Sequence, residues 1–149
     1  MRVFAPSATC LVLLATLMPV FSSAAVPPAL SAQDAWVRAT PGVDVAAAYL
    51  TLHNGGTQPV VVSGVSSPAA AAAMIHESTL VNGQSTMRAH EPLRIGAGET
   101  VRFAPGGLHI MLHGLTHPLS PGDEVPLVLT LSNGATLAVT AHVRALGDG

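Results

Sequence analysis

Four side chains of this 149-residue chain have the types and order of a soft-metal site: His76, Met87, His109 and Met111. Ten residues separate the first two, twenty-one the next two and one the last two, giving H-x10-M-x21-H-x-M. Thioether sulfur is a soft, neutral ligand and imidazole is borderline. Two of each therefore suit Cu(I) far better than Mg²⁺, Ca²⁺ or Mn²⁺. Zn²⁺ prefers thiolate, imidazole and carboxylate. Neutral ligands also leave a singly charged complex, which a low-dielectric surface holds at less cost than a dication. A shuffled chain of this composition would show the pattern on the order of once in 10⁴ trials. The joint spacing therefore outweighs the ordinary reading of each methionine as core filling.

The stretch GGLHIMLHGL, residues 106–115, shows how a strand could present the last two ligands. Side chains alternate between the two faces of a strand. Leu108, Ile110 and Leu112 take the core side, and His109, Met111 and His113 point outward. Residues two apart on a strand are about 6.7 Å apart at Cα, so His109 and Met111 can reach one ion. His76 and Met87 must come from neighbouring strands or their connecting loop. Two accessory candidates remain. Met74 shares strand parity with His76 and reads as a spare ligand or as core packing. His113 reads as a Cu(II)-tolerant neighbour of the site or as an exposed histidine without a role. His53, His90, His117 and His142 fit no metal spacing, and Trp36 reads as core.

The elements that must hold these residues are short β-rich runs broken by Gly, Pro and Asn. Candidate strands cover 34–38, 46–53, 59–65, 72–78, 85–89, 100–104, 108–115, 125–131 and 136–143. Asn54-Gly55 and Asn133-Gly134 are turn dipeptides, the second joining the last two strands in a tight hairpin. Alanine favours helix in Pro68–Met74, but the context favours strand. Such spacing predicts an all-β sandwich or small barrel.

Ahead of that domain, Arg2 precedes an apolar run, Cys10–Phe21, followed by the small residues Ser22–Ala25. This is the pattern of a secretory signal peptide, cleaved after Ala24 or Ala25. Twelve apolar residues containing Pro19 are too few to span a bilayer. Cys10 opens the run instead of following it, which argues against a lipid-bearing cysteine. The expected organisation is a signal peptide over 1–25, a linker over 26–33 and a copper-binding domain over 34–146. Cleavage removes the chain's one cysteine, so the mature protein has neither disulfide nor thiolate. Its five arginines, no lysine and eight acidic groups exclude a nucleic-acid surface or a basic membrane-binding helix.

The ligand spacing, together with DAWVRATPG (34–42), AAAYLTLHNGG (46–56) and PGGLHIMLHGL (105–115), resembles the periplasmic copper chaperones called PCuAC. That resemblance covers nearly all of the mature chain. It implies a cupredoxin-like fold and a periplasmic protein that carries Cu(I) as cargo. It also implies the recipients: the CuA subunit of cytochrome c oxidase, a thioredoxin-like Sco protein, or both. Copper sequestration without a dedicated client is the alternative. An electron carrier of the blue-copper type would need a thiolate the mature chain lacks. No catalytic set accompanies the ligands, so an enzyme is not expected. Two departures stand out. His113 occupies a position commonly methionine in the family, and the Met- and His-rich carboxy-terminal extension is missing. A secondary Cu(II) site supplied by such a tail is therefore not expected here.

Overall fold

The structure, a computed structural model, describes residues 29–147. It is all β. The strands are β1 (Leu30–Ala39), β2 (Val45–Asn54), β3 (Val60–Ser66), β4 (Ala70–Val81) and β5 (Gln84–Ala89). They continue with β6 (Leu93–Ile95), β7 (Thr100–Arg102), β8 (Leu108–Leu115), β9 (Glu124–Leu131) and β10 (Thr136–Arg144). The sheet runs β5-β4-β8-β2-β1-β10-β9-β3-β6, with β7 paired to β2. All pairs are antiparallel except β1 with β10, which makes the sheet mixed.

Strands from both halves of that order share one core. Ile75 of β4, Ile110 and Leu112 of β8, Leu50 and Leu52 of β2, Val62 of β3, Ile95 of β6, and Leu127 and Leu129 of β9 are all buried in a single cluster. The sheet therefore rolls its apolar side inward, as the alternation of large aliphatic residues requires. Pairing with β8 wins over alanine's helical preference at Ala70–Met74, which forms the start of β4.

Two turns set the geometry of the ligand-bearing strands. Asn82 and Gly83 both have positive φ (51° and 77°), and Val81 pairs with Gln84. That is a two-residue hairpin of the type Asn-Gly favours, and it folds β5 back onto β4. The Asn133-Gly134 hairpin forms as expected between β9 and β10, with Asn133 Oδ1 accepting from Ala135 N at 2.9 Å.

Three expectations are corrected. Leu30–Gln33, assigned to a linker, are the first part of β1: they pair with β2 from Leu30↔Asn54 to Gln33↔Thr51, and Leu30 is buried. The domain thus begins before residue 34, because Leu30 has a place in the core. Trp36 is not core. A register shift between Gln33 and Trp36, with Asp34 at φ 53°, gives the inward position to Val37. Trp36 lies half-buried on the opposite face, its ring centroid 4.5 Å from that of Tyr49. The guanidinium of Arg144 stands 4.9 Å from the indole centroid, and that of Arg38 stands 5.7 Å from it. Finally, β6 is a strand the sequence reading did not include.

Candidate metal centre

β4 and β8 are antiparallel neighbours, and their register places His76 directly opposite His109 and Met74 directly opposite Met111. Directly opposed residues share a face. On the other side of β4, Met87 of β5 lies opposite Ser78, two residues from His76 on the same face. Such diagonal neighbours are about 7–8 Å apart, within reach of long side chains. The structure thus gathers all four residues of the spacing motif on one face of β5-β4-β8. His76 and Met87 do come from neighbouring strands, joined by the Asn82-Gly83 hairpin.

His109 is only 5% exposed, although its position on β8 points it away from the aliphatic core. Its expected exposure is therefore corrected: a side chain leaving the core face need not meet water. The ring is fixed. Its Nδ1 donates to the carbonyl of Gly107 at 2.9 Å, a carbonyl that also accepts from Ser78 N at 3.1 Å. A carbonyl only accepts, so Nδ1 carries the proton and Nε2 presents a lone pair. That Nε2 is buried with no partner, and so is Nδ1 of His76.

The His76 and His109 rings are perpendicular, with centroids 6.0 Å apart. Nitrogen–metal bonds of 2.0–2.1 Å allow two imidazoles sharing one ion a centroid separation of at most about 6.4 Å. The separation of these rings is within that limit. Among the described residues, no three of His, Cys, Asp and Glu cluster closely enough to hold a metal by themselves. The methionine sulfurs on this face are the further protein donors within the motif. Met111 is half-buried, whereas Met87 and Met74 are 53% and 38% exposed, so neither of the latter is core packing.

Burial pushes His76 below the ordinary imidazole value, His109 and His113 push it the same way, and Glu91 opposes them. A proton and a metal compete for the same nitrogen, so a lowered value leaves His76 free for metal at more acidic pH. His113 lies opposite Ala72, with its ring centroid 6.3 Å from that of His76. The remaining histidines lie elsewhere, each beside a polar partner. His53 contacts Thr100 Oγ1 at 2.9 Å, His90 contacts Glu77 at 3.2 Å and His117 contacts Thr116 Oγ1 at 3.0 Å. His142 stands 3.8 Å from Glu124.

A rolled, all-β domain with a face of orphaned imidazole nitrogen and thioether sulfur, and no thiolate among the described residues, has the donor set of a small metal-handling protein. Comparison with known proteins says which. The chain belongs to the LpqE-like family, described as "Putative lipoprotein LpqE-like", which it matches over residues 30–143. It is 40% identical over 111 residues to "Putative lipoprotein Lxx21020" of Leifsonia xyli subsp. xyli, covering 74% of this chain and 66% of that one. The chain thus spans just under two thirds of that relative's length.

Among solved structures, it is similar to the Cu(I) form of DR1885 from Deinococcus radiodurans. The two are 34% identical with a TM-score of 0.62, covering 82% of this chain and 81% of that one. The copper-bound PCuAC domain of PmoF2 shares the fold, with a TM-score of 0.65 at 20% identity over 78% of this chain and 93% of that one. These likenesses give the chain the fold of the PCuAC domains and, at 34% identity, a relative solved with Cu(I) bound. The lipoprotein descriptions agree with a protein that acts outside the cytoplasm. The signal peptide and the absence of a lipid on Cys10 are expectations about residues outside the described 29–147.

Proposed function

We propose that this protein is an extracytoplasmic, periplasmic copper carrier. It holds one Cu(I) through His76, Met87, His109 and Met111 and delivers it to the CuA site of cytochrome c oxidase, directly or with a Sco-type protein. The observation that carries this reading is the pair of buried, unpartnered nitrogens, His109 Nε2 and His76 Nδ1, on a face that also holds Met111 and Met87. The copper-bound relatives support copper as the ion.

The arrangement suits transfer as well as binding. His109 is buried and latched to Gly107, so it is the fixed point of the site. Met87 lies on β5, the edge strand of the sheet, with half of its surface exposed. An acceptor's thiolate can displace Met87 first while the imidazoles still hold the ion. A softer, charged sulfur then draws Cu(I) away from neutral ligands.

The test is a Cu(I) titration of the purified mature protein against a competing chelator, followed by mixing with an apo CuA domain. One equivalent bound through nitrogen and sulfur, and lost to the acceptor within minutes, is expected. Absence of Cu(I) binding overturns the reading. Tight binding without transfer, with copper sensitivity and intact oxidase activity in a deletion strain, identifies sequestration instead.

A further inference from the structure

His113 stands outside the four-residue motif but shares its unmet hydrogen-bonding need: its Nε2 is buried with no partner. Its ring centroid lies 6.3 Å from that of His76 at an interplanar angle of 60°, inside the limit of about 6.4 Å for two imidazoles on one ion. The strand fixes where His113 stands. Gly114, next in the chain, has a φ of +64°, and a Cβ there would come within 2.9 Å of the Ala71 Cβ. Only glycine fits, and it seats this end of β8 tightly on β4. His76 is therefore the middle ring of three, with His109 on one side and His113 on the other. Met111 lies between His109 and His113 on the same face of β8.

We propose that His76 and His113 form a second placement for copper on this face, and that it takes Cu(II). Imidazole is a harder ligand than the thioethers of the Cu(I) set, and Cu(II) favours nitrogen and oxygen in a tetragonal arrangement. His76 and His113 are only half-buried, so water completes the sphere. A carboxylate stands ready for the extra charge: Glu91 accepts from Ile75 N at 2.9 Å and acts on His76 so as to favour positive charge there. The two placements share His76, so they exclude each other. The inference rests on the carrier reading for His76 but not for Met87 or His109.

The experiment titrates aqueous Cu²⁺ into the mature wild-type protein and His113→Met, read by calorimetry and electron paramagnetic resonance. Cu(I) affinity is measured in parallel. The wild type is expected to show two imidazole nitrogens on Cu(II). His113→Met should lose one of them and on the order of tenfold or more in Cu(II) affinity, with Cu(I) affinity not lowered, since the new thioether suits Cu(I). A Cu(II) spectrum and affinity identical in the two proteins overturn the proposal. Should His113→Met fail to melt cooperatively, His113→Gln carries the same comparison. Cu(II) binding through His113 without any Cu(I) affinity would uphold this inference and sink the carrier reading. Cu(I) binding with Cu(II) indifferent to residue 113 would do the reverse.

Discussion

Asn54, at the end of β2, and His109, early in β8, are both buried polar side chains, but only Asn54 has its hydrogen bonds met within the protein. Its two amide hydrogens are shared among the carbonyls of Gln58 (2.8 Å), Gly96 (3.1 Å) and Ile95 (3.2 Å), and its Oδ1 accepts from Gly56 N at 3.0 Å. It stitches the β2–β3 connection to the end of β6. Ser67, the third buried polar residue, likewise donates to Pro126 O and accepts from Ala69 N. His109 uses one nitrogen to fix its ring and leaves the other bare, and His76 and His113 each hold a buried nitrogen without a partner. A buried polar group without a partner costs about 1–3 kcal/mol. A fold that satisfies Asn54 four times over can satisfy a histidine. The unmet nitrogens cluster on one face, where the proposed copper would meet them.

The sharpest way to break this contrast is His109→Leu. Cu(I) affinity should fall by about a hundredfold, the upper range for groups that merely support a ligand. The apo protein should melt at the same temperature or higher, because an apolar group replaces an orphaned nitrogen. A lower apo melting temperature with unchanged copper affinity would make His109 a structural residue like Asn54. The reciprocal change, Asn54→Ala, should cost about 2–3 kcal/mol in urea unfolding and leave Cu(I) affinity untouched. If it instead weakened copper binding, the two regions would not be independent.

Met87→Ala sits lower on the scale. It should weaken Cu(I) binding about tenfold, equivalent to about 1.4 kcal/mol, with little change in melting temperature because the side chain fills no core. Unchanged affinity in a chelator competition would remove Met87 from the site.

The smallest effect is a titration. His76 ionises below the ordinary imidazole value of 6.5, first because burial penalises its charged form and then because His109 and His113 stand beside it. As pH falls, the unfolded chain takes up the proton first. The contribution to stability is therefore complete above about pH 6.5 and is lost as pH falls through the folded value. An NMR titration of the apo protein should place the His76 midpoint below 6.5, and His113→Met should move it upward. A midpoint indifferent to residue 113 would separate the two rings.

Much of the fold was readable because β alternation was clear where one face is aliphatic. β8 forms over Leu108–Leu115 as the alternation predicts, and the β9–β10 hairpin follows its Asn-Gly turn. β6 escaped notice because three residues between Pro92 and Gly96 carry no period. Asn82-Gly83 in VNGQ was the available signal for the hairpin that presents Met87. Trp36 and Val37 are adjacent and both apolar, so alternation allows only one of them inside. The choice is made by the β1 register shift, which no local pattern announces. Burial of His109 was equally hidden, since alternation gives the face a residue points to but not what stands above it. The spacing of the motif placed four ligand candidates. The orphaned nitrogens, which tie His113 to them, are visible only in three dimensions.

Trp36 gives that outer face an optical property. It is the chain's only tryptophan. Its indole rests on Tyr49, held by Arg144 and Arg38, and Tyr49 lies two residues along β2 from Ala47, the residue paired with Met111. Two strand spacings of about 4.8 Å each separate β1 from β8, so the fluorophore sits roughly 10 Å from the strand that carries the proposed ligands His109 and Met111. Paramagnetic Cu(II), with its visible absorption, quenches an excited indole at that range, while closed-shell Cu(I) lacks both properties. The emission of one native residue should therefore tell which oxidation state of copper the protein carries, with no label attached.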